Sequence, residues 1–505
     1  MTLADATRIA KGSTYLVTQS IVDAAIRAIA LAFVARTLTE TEMGIVVALV
    51  LISTLAQMLS DLGFSRALSK YVAEYRGRNT DYSPFLSCGI SIKLLTGGLA
   101  AVVCAVAAPQ LSQLLLKTSG YSGLFQLLSI YVLFFCLNLT MTGLLLGLDR
   151  IREMAISNVV LTLIAQTSGV TLLMSGYGLT GLVTGWTLGQ LAYLITSALI
   201  IAKGKELKKH SVSETGPFLR TLAKFSWPLF LTNIVVFVYN SFDRVILLAY
   251  LSLSEVGVYS VALRVFSALS IVPAALSTTL FPYYSEQYGG NKRDNILVGV
   301  RAATRYTALV YLPLALGLAI TANPAISIVA GHAYTRGDVI LTVLCLFGAV
   351  GGLSAALDTL LLVYGMTPTI LLINIASVGG SVAFSPILLS TLGATGMAIV
   401  KGVTMIISLT LTVFVLRRRM RIEFDKEALW KGCGAAIIMV VVVGLIEWMF
   451  FNPYLLPLYM VVGGVVYAVA LKILRVVNEK DMLLIETLMG KRATSLVKVL
   501  KKVLM

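Results

Sequence analysis

Nine ionisable side chains lie inside long apolar runs of this 505-residue chain. Arg27, Lys93, Arg244, Arg264 and Lys401 are basic, and Asp23, Asp243, Asp358 and Glu447 are acidic. A charge at hydrocarbon depth costs about 3 kcal/mol on insertion scales, so each is a candidate for function. A guanidinium or ammonium in such surroundings can hold an oxyanion, and a carboxylate there can carry a proton or a small cation.

Spacing ranks these groups. Asp23 and Arg27 are four residues apart on one helix face, where they could neutralise each other or line a cavity. Arg27 lies about 13 Å from the far end of its run, too deep to reach water comfortably. Asp243 and Arg264 sit at similar depth on either side of the loop Leu251–Val256 and could pair across it; whichever of Arg244 and Arg264 Asp243 takes, the other would be left to bind an anion. Lys93 and Lys401 are long enough to snorkel. Asp358 is a candidate carrier of a coupling proton or ion, Glu447 is close to the end of its run, and Tyr239 and Asn240 could add hydrogen bonds. Asn138-Leu139-Thr140 matches a glycosylation sequon, but its place inside an apolar run rules that out.

The elements that must carry these residues are membrane helices. The chain is 58% apolar and only 13% charged, with a mean hydropathy of +0.89. Its apolar residues come in runs of about 20, the length that crosses a hydrocarbon core of about 30 Å. About fourteen spans are predicted, near 13–35, 44–60, 84–107, 123–146, 155–175, 179–201, 225–250, 257–281, 303–322, 338–363, 367–387, 393–416, 430–451 and 454–474. Pro273 should kink the eighth, and Gly181, Gly185 and Gly189 form a stripe on the sixth that permits close helix contact. Cys88, Cys104, Cys136, Cys345 and Cys433 fall in or beside spans without metal-ligand spacing and read as packing residues.

The connections alternate between basic and nearly uncharged. One set, with the termini, holds 32 Lys and Arg residues, and the alternate set holds only Arg36, Lys117 and Arg336. The positive-inside rule places the first set and both termini in the cytoplasm, with the plasma membrane as the expected location. The net charge of +16 is therefore a topology signal and an attraction to anionic membrane lipids. Spread over separate short loops, it is no nucleic-acid footprint. The tail from Asp481 to Met505 reads as a basic amphipathic helix on the inner leaflet, or as a docking segment.

An internal repeat organises the spans. Leu38-Thr39-Glu40-Thr41-Glu42-Met43-Gly44-Ile45 aligns with Leu251-Ser252-Leu253-Ser254-Glu255-Val256-Gly257-Val258, Glu74 to Asn79 aligns with Glu286 to Asn291, and Gly178-Leu179-Thr180-Gly181 aligns with Gly393-Ala394-Thr395-Gly396. Six spans per unit is an even number, so the two units insert in the same orientation. Parallel repeats of this kind occur in secondary transporters. The expected domains are a six-helix lobe at 1–210, a second at 211–424, an extra helix pair at 425–475 and the basic tail at 476–505.

A family resemblance rests on particular residues. Asp243-Arg244-Val245-Ile246-Leu247-Leu248, then Glu255-Val256-Gly257-Val258-Tyr259-Ser260-Val261-Ala262-Leu263-Arg264, then Thr279-Leu280-Phe281-Pro282, resembles the seventh and eighth helices of the polysaccharide and oligosaccharide-lipid flippases. That branch belongs to the multidrug/oligosaccharidyl-lipid/polysaccharide exporter superfamily. Ala35-Arg36-Thr37-Leu38 with Glu42-Met43-Gly44 is similar to the matching hairpin of the first unit, and the extra C-terminal pair matches fourteen-span members. The resemblance implies an all-α integral membrane protein with two lobes in a V around a central cavity. It also implies export of a polyprenyl-phosphate- or pyrophosphate-linked oligosaccharide, whose anionic head group would meet cationic cavity residues. Asp23, Arg27, Asp243, Arg244, Arg264 and Lys401 are the expected cavity residues, with Asp358 for ion coupling. Glycosyltransferases or a polymerase of the same pathway are candidate partners.

Three other classes compete. A drug or cation antiporter of the same superfamily would share the fold, but would favour acidic cavity residues and twelve spans. A major-facilitator transporter is disfavoured because Asp61-Leu62-Gly63-Phe64-Ser65-Arg66 runs on into an amphipathic stretch reaching Asn79. A membrane polysaccharide polymerase or ligase would need a large outer loop with catalytic groups, and the longest outer segments, 108–122 and 323–337, are short and nearly uncharged. No Walker A pattern, metal-ligand cluster or nucleophile triad is present, so neither an enzyme nor a cofactor is expected.

Overall fold

The computed structural model describes residues 3–203, 212–420 and 422–477, and these are helical almost throughout. Two compact units divide the chain, Met1–Gly257 and Val258–Met505.

The first unit contains α1 (Leu3–Thr37), α2 (Glu40–Asp61), α3 (Phe64–Gly77), α4 (Ser83–Val106), α5 (Ala108–Leu116), α6 (Ser122–Gly147), α7 (Ile151–Leu172), α8 (Gly178–Lys203), α9 (Val212–Tyr250) and the start of α10 (Leu253–Ser267). Local chemistry sets the boundaries. Thr39 and Glu42 form a capping box that starts α2. Its end is turned by two left-handed residues, Leu62 at φ 50° and Gly63 at φ 80°. A Cβ on Gly63 would lie 2.7 Å from the Ser226 carbonyl oxygen, so only glycine lets α9 pack on this corner. The amphipathic α3 follows, with Phe64, Ala67, Leu68 and Val72 buried. Between α7 and α8 the chain makes a π-turn at Leu173–Tyr177, with Gly176 at φ 91° and Gly178 at φ 54°. The expected glycine stripe packs there: a Cβ on Gly185 would come within 2.3 Å of the Gly169 Cα.

The second unit holds the rest of α10, then α11 (Ile271–Gly289), α12 (Arg293–Tyr306), α13 (Leu312–Ile320), α14 (Ala322–Ala330), α15 (Asp338–Gly351), α16 (Ser354–Val363), α17 (Thr367–Arg419), α18 (Lys426–Met449) and α19 (Leu456–Ile473). Between α10 and α11 the helix tightens into a 3₁₀ turn at Ala268–Ser270, immediately ahead of Pro273. The 53-residue α17 is two helices joined at Gly393, where φ is 55° and ψ −134°. The pair α18–α19 packs on α13. Arg305 of α12 reaches Asp425 at 3.1 Å and donates to the Val476 carbonyl at 2.6 Å, while the Tyr467 hydroxyl donates to the Leu309 carbonyl at 3.0 Å. Leu309 lies in a π-turn, Thr307–Tyr311, which leaves backbone groups in need of such partners.

Among the described residues, twelve helices are long and apolar enough to cross a membrane. Two of them, Ile151–Lys203 and Thr367–Arg419, are the glycine-cornered hairpins, each of which the expected count of fourteen takes as two spans. Outward surfaces are apolar, as lipid contact requires. On α18 the exposed Trp430 and Trp448 stand 18 residues apart, one at each end, in the manner of interfacial anchors. Four of the five cysteines are buried and Cys433 is half-buried. The expected tail helix from Asp481 to Met505 lies outside the described residues, as does the middle of the linker between the two expected lobes.

Candidate functional site: charged and polar groups within the spans

The polar stripe of α1 comprises Gln19, Asp23 and Arg27, one turn apart on one face, with Ile21 and Ile29 on the other. Gln19 Nε2 donates to Asp23 Oδ2 at 3.3 Å. Gln19 Oε1 and Asp23 Oδ1 are buried without a hydrogen-bond partner. Asp23 and Arg27 share the expected face without forming an ion pair: the carboxylate is turned one helical turn toward Gln19. Arg27 stays exposed, at mid-helix.

Three residues that sequence reasoning missed, Tyr131, Asn138 and Gln190, stand where α6 meets α8. Tyr131 of α6 lies within electrostatic reach of Arg27 and faces α8. Its ring lies 5.3 Å from Phe135 and 6.0 Å from Trp186, centroid to centroid. Asn138 Nδ2 donates to both the Gln190 carbonyl, at 2.8 Å, and Gln190 Oε1, at 2.6 Å. The only sequence signal at Asn138 was the discarded sequon; its actual work is to hold α8.

Lys93 does not snorkel. It is 2% exposed and lies 3.3 Å from Asp61, itself 5% exposed, as a buried ion pair linking α4 to the end of α2. Asp61 also accepts from the Ser65 backbone amide at 3.3 Å and from its hydroxyl, so one carboxylate fixes α2, α3 and α4 together. Sequence reading treated Asp61 only as the end of a span.

Asp243, on α9, is fully buried, and its carboxylate accepts from the Arg244 backbone amide at 2.9 Å. The Arg244 side chain is half-buried. Arg264 is exposed on α10, and Lys401 is half-buried on α17.

Asp358 of α16 accepts from the Thr412 hydroxyl at 3.1 Å. Thr412 ends a ladder of buried hydroxyls along the two arms of α17, with Ser377, Ser381 and Ser385 on one arm and Thr404, Ser408 and Thr412 on the other. Ser381 and Thr404 hydrogen-bond across the arms, and Ser377 Oγ has no partner. Glu447 keeps one carboxylate oxygen buried and unpartnered on α18.

Two arginines foreseen as a topology signal, Arg76 and Arg150, also work as helix caps. Arg76 donates to the Leu148 carbonyl at the end of α6 and lies 3.8 Å from Asp149, and Arg150 donates to the Ile200 carbonyl at 2.7 Å. Cations suit the carbonyl ends of helices.

Comparison with known proteins gives a consistent set of likenesses. A family model described as "Polysaccharide biosynthesis protein" matches residues 9–287, and one described as MatE matches residues 228–387. The probable low-salt glycan biosynthesis flippase Agl15 of Haloferax volcanii is 22% identical over 346 residues, covering 66% of this chain and 68% of that protein. Among solved structures, the lipid II flippase MurJ in an inward closed conformation superposes with a TM-score of 0.76 at 16% identity, covering 90% of this chain and 97% of that one. An inward-facing multidrug resistance MATE family transporter of the MOP superfamily superposes with a TM-score of 0.61 at 14% identity, covering 80% and 98%. The fold is thus that of MurJ and MATE proteins.

Proposed function

Because the chain belongs to the polysaccharide biosynthesis protein family, we propose that it is a flippase. It moves a polyprenyl-linked oligosaccharide from the cytoplasmic to the outer leaflet by alternating access. The observation that carries this reading is Arg27, an exposed guanidinium at the middle of an apolar helix, one turn from an Asp23 carboxylate that is bonded to Gln19 instead. A cation kept at that depth without a counter-ion is one reserved for an anionic ligand, and the phosphate of a lipid-linked sugar is such a ligand. The names of the relatives support this substrate class: Agl15 is a probable glycan biosynthesis flippase and MurJ is a lipid II flippase. Arg244, Arg264 and Lys401 are the further candidate cations of this site, Asp23 and Asp243 its candidate acids, and Asp358 with Thr412 the candidate for the coupling ion.

The basic loops put both termini in the cytoplasm, and the same charge draws anionic lipid to that face. Glycosyltransferases of the pathway deliver the substrate there. The match of residues 228–387 to MatE keeps a drug or cation antiporter as the second reading.

Reconstitution decides between them. Proteoliposomes holding a fluorescent polyprenyl-pyrophosphoryl sugar should expose its head group to an added quencher faster than empty liposomes do. Absence of that acceleration with monodisperse, folded protein, together with cation-driven drug uptake, would replace the flippase with the antiporter.

A further inference from the structure

One residue breaks the backbone ladder of the ninth expected span. Pro313 has no N–H to give, and its ring crowds the carbonyl four residues back, that of Leu309. The helix widens there into the π-turn Thr307–Tyr311, and the Leu312 amide donates to the Thr307 carbonyl, five residues back. In a regular helix that amide would serve Ala308. The next residue along, which would serve Ala308 in π spacing and Leu309 in α spacing, is the proline. Two successive carbonyls therefore lose their regular donors inside an apolar span, where only neighbouring helices can make up the loss.

The neighbours at this point are α18 and α19. The Tyr467 hydroxyl of α19 donates to the Leu309 carbonyl at 3.0 Å. Gly432 of α18 is buried beside Ala308, so close that a Cβ added to it would lie 3.4 Å from the Ala308 carbonyl oxygen. The Leu309 side chain packs with Tyr467 against Ala435, Ala470 and Leu471 of the pair. One turn earlier, Arg305 bonds the α18 cap Asp425 at 3.1 Å and the Val476 carbonyl beyond α19 at 2.6 Å. A phenol donates one proton without bringing a charge to that depth.

We propose that the α18–α19 pair is a brace made necessary by Pro313. Tyr467 supplies the hydrogen bond that the proline takes away, and the ninth span is incomplete without the pair. The two helices that lie outside the internal repeat are thus bound to α12 and α13 and move with them as one piece, whatever substrate the chain carries.

The test is a double-mutant cycle in the full chain in nanodiscs, read by hydrogen exchange of the backbone amides from Tyr306 to Leu316. Tyr467→Phe should speed exchange there roughly three- to tenfold, the worth of a hydrogen bond between membrane helices. In the Pro313→Ala background residue 313 regains an N–H for Leu309, and the same change should alter exchange by less than about twofold. Tyr459→Phe removes a hydroxyl that bonds the Phe450 carbonyl at 2.7 Å within the pair itself, and should leave the turn unchanged. Equal acceleration by Tyr467→Phe in both backgrounds would mean that the bond owes nothing to the proline, and would overturn the proposal. Unchanged exchange in Tyr467→Phe would do the same, as would an equal effect of Tyr459→Phe, which would mean general loosening of the pair. If Pro313→Ala does not fold, the contrast between Tyr467→Phe and Tyr459→Phe decides, because only the first touches the turn.

Discussion

Gly44 and Gly257 are 213 residues apart, and each faces the backbone of the other's helix at the same relative position. A Cβ on Gly44 would lie 2.0 Å from the Leu253 carbonyl oxygen, and a Cβ on Gly257 would lie 1.9 Å from the Glu40 carbonyl oxygen. Glu40 and Leu253 are themselves equivalent in the repeat. The two helix starts therefore cross as a local two-fold pair, and Ser254 adds a hydrogen bond to the Glu40 carboxylate. Aligned loops in the sequence are thus a contact in space.

This symmetry makes a stability prediction. Gly44→Ala and Gly257→Ala should each cost about 1–3 kcal/mol, and by similar amounts, because each forces the same backbone approach apart. Gly98→Ala and Gly123→Ala, where nothing lies within 4 Å of the added carbon, should be neutral. Thermal unfolding of the four purified variants checks this, and a lasting difference between the first two would break the symmetry argument.

The Asp61–Lys93 pair should behave as a unit. Lys93→Met strands the Asp61 carboxylate and should cost about 3–5 kcal/mol. Adding Asp61→Asn to Lys93→Met should recover more than half of that. A double-mutant cycle measured by thermal or denaturant unfolding gives the coupling directly.

The two repeats differ where their fifth and sixth spans meet. In the first, Gly185 and Gly189 pack on Gly169 and Ala165, and the Ser168 hydroxyl reaches the Gly185 carbonyl only at 3.4 Å. In the second, the corresponding seam carries Ser381 and Thr404. Gly185→Ala should therefore destabilise by well over 1 kcal/mol, because its new carbon meets backbone at 2.3 Å. Ser381→Ala should cost about 0.6 kcal/mol, the usual worth of a hydrogen bond between membrane helices. Equal costs would mean that the hydroxyls are as structural as the glycines.

Arg27→Ala and Arg264→Ala should abolish complementation of a strain lacking the gene while leaving membrane abundance intact. Complementation and quantitative immunoblotting of membranes are the two measurements. Normal growth with both variants would end the cationic-cavity reading.

Much of the fold was legible in the sequence because bilayers permit few structures. Apolar runs gave the helices, and polar loop matches such as Leu38 to Ile45 with Leu251 to Val258 gave the repeat. The individual site was harder to read. Asp23 and Arg27 were correctly placed on one face, but i,i+4 spacing does not say which way a carboxylate turns, and Gln19 draws it away. Asp61 looked like a helix end because it stands beside Gly63; its partner Lys93 is distant in sequence and joined only by packing. Tyr131 and Gln190 sit among apolar residues, where an aromatic ring and a lone amide carry no signal of their own. Gln190 is joined to Asn138 only by the packing of α8 on α6, which the sequence does not display.

Trp430 and Trp448 give the appended helix a length scale. Eighteen residues at 1.5 Å each hold the two indoles about 27 Å apart. Indoles settle at the boundary between headgroups and acyl chains, so α18 acts as a gauge for bilayer thickness. Because that helix is tied to α12 through Arg305 and packs on α13, it cannot tilt alone to suit a thicker sheet. The mismatch would be borne by the surrounding lipid, and the protein would collect in the thinner patches of a mixed membrane.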